Sequence, residues 1–230
     1  MIYNIKLSTL QEGINTVVEY IQNQRKNNNS FSIIDVGGSR GGWSYQYVDA
    51  IIDFNAPKSD GKIKHFSFNI NHPNGWKAVE EYIKNHGKFD FSICTHTLED
   101  ISNPKYVSEQ LSKISKVGYI AVPSKYKEFS RFIETIEGEK IRGNVHHRWI
   151  FNFIGDVFFG FPKIPYIEVD TIFNKLANNQ KEYENLGFFW KDELMLSIIN
   201  GDYLGPTQYD VMNMYRTYLF NDDLDKKYNL

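Results

Sequence analysis

Residues Phe31 to Ser44 (Phe-Ser-Ile-Ile-Asp-Val-Gly-Gly-Ser-Arg-Gly-Gly-Trp-Ser) constrain the fold more than any other stretch. A short apolar run ends in an acid, and four glycines follow within six positions. This predicts a buried strand whose carboxyl end opens into a turn where backbone must approach a ligand closely. In an open α/β sheet, that is where ligands bind.

The rest of the first 125 residues supports such a sheet. Leu10, Ile14, Val17 and Ile21 recur at helical spacing and predict an amphipathic helix from Ser8 to Arg25. A short helix from Trp43 to Val48 and a second strand from Ala50 to Phe54 follow the glycine turn. A loop over 56–62 leads to a third strand, His65 to Ile70, and a helix, Trp76 to Asn85, stopped at Gly87. A fourth strand spans Phe89 to Cys94, a helix Pro104 to Ser115, and a fifth strand Gly118 to Val122. Strands and helices alternate, which predicts an α/β fold with a mostly parallel sheet covered on both faces. Beyond residue 140, Arg148 to Ile154 and Val157 to Phe161 read as a hairpin turning at Gly155-Asp156. The tail predicts a helix after Asp170, a strand starting at Gly187-Phe188-Phe189-Trp190 and a last helix near Tyr209 to Leu219.

Length and charge bound the function. A chain of 230 residues can bury one sizeable core. A net charge of −2 argues against a nucleic-acid or membrane binder driven by electrostatics. The single cysteine, Cys94, excludes an intramolecular disulfide and fits a reducing compartment. No apolar run approaches the roughly 20 residues of a membrane helix, and no signal-peptide pattern opens the chain. A cytoplasmic protein is expected, and its oligomeric state is left open.

The glycine turn does not fit a dinucleotide fingerprint: counted from Gly37 or Gly38, the third position is Ser39 or Arg40. The remaining pattern, Asp35-x-Gly37-x-x-x-Gly41, resembles motif I of the class I S-adenosylmethionine-dependent methyltransferases. Asp53, 18 residues after Asp35, stands where that family places the acid that takes the ribose hydroxyls. Vicinal hydroxyls can donate two charge-assisted hydrogen bonds to one carboxylate. Asn69 stands where the family often has an aspartate near the adenine, and Ser39 replaces a common glycine. Phe89-Asp90 followed by Thr95-His96-Thr97-Leu98-Glu99-Asp100-Ile101 and Asn103-Pro104 resembles the family's fourth-strand motif. Gly118 to Ser124 is similar to its fifth strand.

The resemblance implies a Rossmann-like seven-stranded sheet and S-adenosyl-L-methionine as cofactor. It implies Asp35, Gly37, Gly38, Ser39, Gly41, Asp53, Asn69 and Thr95 as cofactor-binding residues. The whole chain, 1–230, is then one methyltransferase domain. Its parts are an N-terminal helix over 1–30, a cofactor-binding core over 31–165 and an extension over 166–230 that shapes the acceptor site.

Methyl transfer to a hydroxyl needs an aligned nucleophile and a base for its proton. His96, just past the fourth strand, is a candidate base, or a loop histidine that packs on the cofactor. Glu99 and Asp100 could orient a histidine, bind a divalent ion or cap the following helix; no metal ligand is assigned. His146-His147-Arg148-Trp149 is the most unusual cluster downstream. His147 is a second candidate base, and Arg148 a candidate for binding a hydroxyl or carboxylate. The competing reading is strand alternation that buries His147 and Trp149 and exposes His146 and Arg148. Proteins of glycan-modification gene clusters within the same superfamily resemble this chain in Thr95 to Ile101, Val122 to Lys125 and His146 to Trp149.

The leading expectation is an O-methyltransferase acting on a sugar hydroxyl, with a carbohydrate or other small acceptor and no membrane or nucleic-acid partner. Gly41-Gly42-Trp43-Ser44 also resembles RNA ribose 2′-O-methyltransferases, but Thr95-His96-Thr97 stands in place of that family's Asp-rich motif. A non-catalytic binding module is the third reading.

Overall fold

Strand β2 (Ile33–Val36) is buried along its whole length, as an apolar run must be when both faces of a parallel strand are covered. The structure is a computed structural model that describes residues 1–54, 61–131, 134–199, 215, 217–219 and 223–228. Around β2 lie β1 (Ile2–Ser8), β3 (Ala50–Asp53), β4 (Lys64–Ser67), β5 (Phe89–Thr95), β6 (Ser115–Pro123) and, from the C-terminal part, β11 (Asn185–Lys191). Together they form one seven-stranded sheet in the order β4-β3-β2-β5-β6-β11-β1. Strands β2 to β6 pair in parallel, and β11 runs antiparallel between β6 and β1. The expected mostly parallel α/β sheet is present.

Alternation along the strands sends side chains to two cores. Ile33, Phe91, Ile93 and Tyr119 meet Val17 and Ile21 of α1 (Leu10–Asn27) on one face. Ile34, Val36, Ile120 and Val122 meet α2 (Pro73–His86) and α3 (Pro104–Ile114) on the other. Each fully buried aliphatic or aromatic side chain contributes about 1.5–3 kcal/mol. The helices start where capping chemistry is encoded. Thr9 accepts from the Glu12 amide and Glu12 reaches back to the Thr9 amide, a capping box. The Asn103 side chain accepts from the Tyr106 amide ahead of α3.

After β6 come a short helix, α4 (Lys125–Phe129), and a small hairpin, β7 (Glu134–Ile136) and β8 (Glu139–Ile141). The predicted aromatic hairpin forms as β9 (Trp149–Ile154) and β10 (Val157–Pro162), with Gly155 at φ +56° in the turn. Strand β12 (Leu196–Ile198) completes this second sheet. A terminal helix, α5 (Asp223–Tyr228), lies near β1, where the Leu7 amide donates to the Tyr228 hydroxyl.

Two local expectations change. The segment 1–30 is not helical throughout, because Ile2 to Ser8 forms the edge strand β1. A register shift between Tyr3 and Lys6, with Asn4 at φ +55°, breaks the alternation that would have marked it as a strand. After Asp170, single 3₁₀ turns at Thr171–Lys175 and Lys181–Tyr183 replace a regular helix. The helix expected at Tyr209 to Leu219 falls largely outside the described residues. Among the described residues, no helix is long and apolar enough to cross a membrane.

Candidate functional site

The strand order reverses at β2: β3 and β4 lie to one side, β5 and β6 to the other. A crevice therefore opens at the carboxyl ends of β2 and β5. Gly37 leaves β2 with φ +85° and donates its amide to the Ile52 carbonyl at 2.7 Å. A Cβ on Gly37 would collide with the Thr97 side chain, so the turns after β2 and β5 touch here because residue 37 has no side chain. Gly38 is equally constrained, since its Cβ would enter the Asp35 carboxylate.

Asp35 is not in the crevice. It lies buried beneath the turn and accepts a hydrogen bond from Ser44 Oγ. Burial pushes its carboxyl up to about 7; the Ser44 bond opposes this, and the charge of Asp53 adds to it. Asp35 thus props the glycine turn from inside. Gly38 is buried with it, whereas Ser39 and Gly41 are exposed and shape the outer turn, Ser39 accepting from the Gly42 amide.

The crevice is a cleft of about 310 Å³. Gly37, Asp53, Asn69, His96, Thr97 and Asp100 line it, along with Phe54, Phe68, Ile70, Asn71 and Ile101. Asp53 ends β3 at its rim, half-buried. Phe54, the next residue, is 64% exposed and presents a flat apolar ring. Opposite, Asn69 Oδ1 accepts from the amide and side chain of Asn71, and Asn71 Oδ1 accepts from the Asn103 amide. This chain of amides fixes the far wall.

The turn after β5 carries the titratable groups. His96 is held at φ +51°, with its amide donating to the Ala121 carbonyl. Its Nδ1 lies 3.3 Å from Glu99 Oε1. Glu99 is 1% exposed, and neither of its carboxylate oxygens has a hydrogen-bond donor among the described residues. His96 Nε2 is likewise buried without a partner. Asn103 caps α3, so Glu99 and Asp100 are not used for that. Behind His96, Thr95 lines a separate recess of about 10 Å³, closed by Leu10 and Ile14 of α1 and by Trp43.

One backbone bond and one indole bond bring the downstream histidines to this turn. The Arg148 amide donates to the Glu99 carbonyl at 2.6 Å, and Trp149 Nε1 donates to the Ile101 carbonyl at 2.8 Å. His147 is buried, with Nδ1 2.6 Å from Glu128 Oε1, while Lys163 Nζ sits 2.7 Å from Glu128 Oε2. Burial alone would lower the imidazole pKa. The Glu128 hydrogen bond and the charges of Glu128, Glu99 and Asp100 outweigh it, and the net shift is upward. Asp100 moves upward as well, through burial first and then the Glu99 charge. His146 and Arg148 are exposed, but they lie in the turn and coil ahead of β9, so strand alternation is not the cause.

The structure therefore gathers Gly37, Asp53, Asn69, His96 and Asp100 around one cleft, with Glu99 and His147 close behind and Arg148 contributing its backbone. It sets Asp35, Gly38, Ser39, Gly41 and Thr95 outside the cleft lining. Phe54, Asn71, Glu128 and Lys163 were missed. Phe54 is signalled by its place after a strand-end acid, but nothing in the sequence pairs Glu128 with His147 or Lys163.

No family model and no curated protein matches the chain. Among solved structures, the N-terminal domain of EvdMO1 with SAH bound overlaps 80% of this chain and 82% of its own, at 10% identity and a TM-score of 0.38. The plantazolicin methyltransferase BpumL in complex with SAH overlaps 79% and 83%, at 13% identity and a TM-score of 0.38. An S-adenosylmethionine-dependent methyltransferase from Mesorhizobium loti overlaps 69% and 89%, at 9% identity and a TM-score of 0.35. Overlaps this loose carry no inference about what this chain binds or does; its fold and site rest on its own geometry.

Proposed function

We propose that this protein is an S-adenosylmethionine-dependent O-methyltransferase that acts on a sugar hydroxyl, with a histidine as general base. The observation that carries this reading is the shared cleft. A strand-end carboxylate, a Cβ-free turn and an exposed aromatic ring converge at the switch point of a parallel sheet, and a histidine stands at the same opening. Its volume falls at the lower end of the roughly 300–1,000 Å³ found for ligand sites.

The residues fit the cofactor. Asp53 would accept the ribose hydroxyls, Phe54 and Ile101 would offer apolar surface to the purine, and the Gly37 turn would let the methionyl part lie against backbone. When bound, S-adenosylmethionine would supply a methyl group activated on a sulfonium, with the neutral thioether as its leaving group. His96 would receive the hydroxyl proton once its ring turns the now buried Nε2 to the cleft, and Glu99, 3.3 Å from Nδ1, would steady the imidazolium that results. A left-handed backbone at a non-glycine residue is the kind of strain found where a side chain must be aimed.

Calorimetry with S-adenosylmethionine or S-adenosylhomocysteine tests the cofactor, and transfer of labelled methyl to a panel of sugars tests the acceptor. Saturable binding with methylation of a sugar is expected. Failure to bind either compound would overturn the reading, and methylation of RNA but not sugars would replace the acceptor.

A further inference from the structure

We propose that Asp100, His146 and His147 form a site for one divalent first-row transition-metal ion, which receives hydroxyl oxygens of the acceptor. The acceptor role rests on the methyltransferase reading; the ion site does not. One oxygen of Asp100 lies 3.8 Å from His146 Nε2 and 3.8 Å from His147 Nε2. One donor atom from each of the three residues lies within 4.8 Å of the others. Two imidazoles and one carboxylate suit manganese, iron, cobalt, nickel or zinc better than magnesium, and three ligands leave positions open for two oxygens of a diol.

Two independent observations support a cation at this place. First, the His147 ring is held as metal-ligating imidazoles are: Nδ1–H donates to Glu128, which leaves Nε2 as the acceptor nitrogen, 3.8 Å from Asp100. Lys163 and the tight fit of Gly143 against Glu128 hold that carboxylate in turn. Second, Glu99, adjacent to Asp100, is a fully buried carboxylate with neither oxygen accepting a hydrogen bond among the described residues. A buried charge is tolerated when it is paired or faces a metal. His96 Nδ1 gives only a 3.3 Å contact on one side.

Binding needs some movement. The donor atoms must contract by about 1 Å to reach bond lengths near 2.1 Å, and the Asn144 amide, now 3.1 Å from His147 Nε2, must turn aside. The exposed His146 and Asp100 side chains can supply that contraction. The ion would lie beside Asp100 at the rim of the cleft. The opposite approach to His96 is closed, since its recess has room for about one water.

The test uses the full chain stripped with EDTA and titrated with Co²⁺, read by calorimetry and visible absorption. One Co²⁺ per chain is expected, with affinity at least about tenfold weaker in Asp100→Ala and in His146→Ala. Both positions are exposed, so folding should survive, and circular dichroism checks it. Equal affinity in wild type and variants, or no binding at millimolar Co²⁺, would overturn the site. Methyl transfer at the same rate with and without Co²⁺ would overturn the acceptor role while leaving the methyltransferase reading intact. Variant-sensitive Co²⁺ binding without any methyl transfer would do the reverse, keeping the ion and removing the reaction.

Discussion

The Thr97 side chain fills the space where a Cβ on residue 37 would stand. Gly37 also has φ +85°, so Gly37→Ala meets two obstacles, a backbone cost of about 1–2 kcal/mol and a clash with Thr97. The single variant should melt earlier and bind S-adenosylhomocysteine weakly. In the double variant Gly37→Ala/Thr97→Ala the two worst contacts, with Oγ1 and Cγ2, are gone, a tight 3.0 Å approach to Cβ remains and the φ cost stays. Denaturant titration of the four proteins should therefore show a favourable coupling between the two sites. Strict additivity would mean that the two turns do not touch.

Asp53→Ala should weaken cofactor binding by about tenfold or more, because charge-assisted hydrogen bonds contribute about 1.5–3 kcal/mol each way they are counted. Asp53→Asn should fall between wild type and alanine. Calorimetry reads both. Unchanged affinity in the alanine variant would place the ribose elsewhere.

Phe54→Ala separates binding from stability. Phe54 is 64% exposed, so its removal should move the unfolding free energy by no more than about 0.5 kcal/mol. Affinity for the cofactor should nevertheless drop, since the ring forms one wall of the cleft. A large loss of stability with unaltered affinity would make Phe54 part of the core.

Asp35 predicts a pH effect. Its carboxyl is raised from 3.8 to about 7 by burial, so the folded protein holds a proton that the unfolded chain releases near pH 4. The group's contribution is complete below pH 4 and is lost as pH rises toward 7, at about 1.4 kcal/mol per unit. Asp35→Asn should flatten that slope between pH 4 and pH 7 and be the more stable protein above it. Parallel stability curves for the two proteins would show that Asp35 titrates normally.

His96→Ala should lower kcat by about 10²-fold or more while S-adenosylhomocysteine affinity changes far less. Added imidazole separates a base from a packing residue: it should restore part of the lost kcat in the variant. No rescue there, with loss and rescue in His147→Ala instead, would move the role to His147.

Much of this was legible in the sequence because it is local. Strand-end acids, glycine turns and a helix-capping Asn103-Pro104 lie within a few residues of the contacts they make. The cleft formed by Gly37, Asp53, Asn69 and His96 follows from strand order alone. What the sequence hid is set by distance and direction. Asp35 reads as a ligand for the cofactor, but the pleat turns it beneath its own loop, against Ser44. His147 meets Glu128 and Lys163 only through the fold of the second sheet. Strand β1 was hidden by its bulge at Asn4, which spoils the two-residue period.

The pairing of β1 with β11 has a kinetic consequence. Ile2 lies opposite Trp190 and Ser8 opposite Asn185, so this ladder joins segments nearly the whole described chain apart. During synthesis on a ribosome, the first strand emerges long before its partner exists. Until then the nascent polypeptide carries an open hydrogen-bonding row that other chains could join. Closing so long a loop is slow, which makes this seam the expected last step of maturation and the place where crowding would do the most harm.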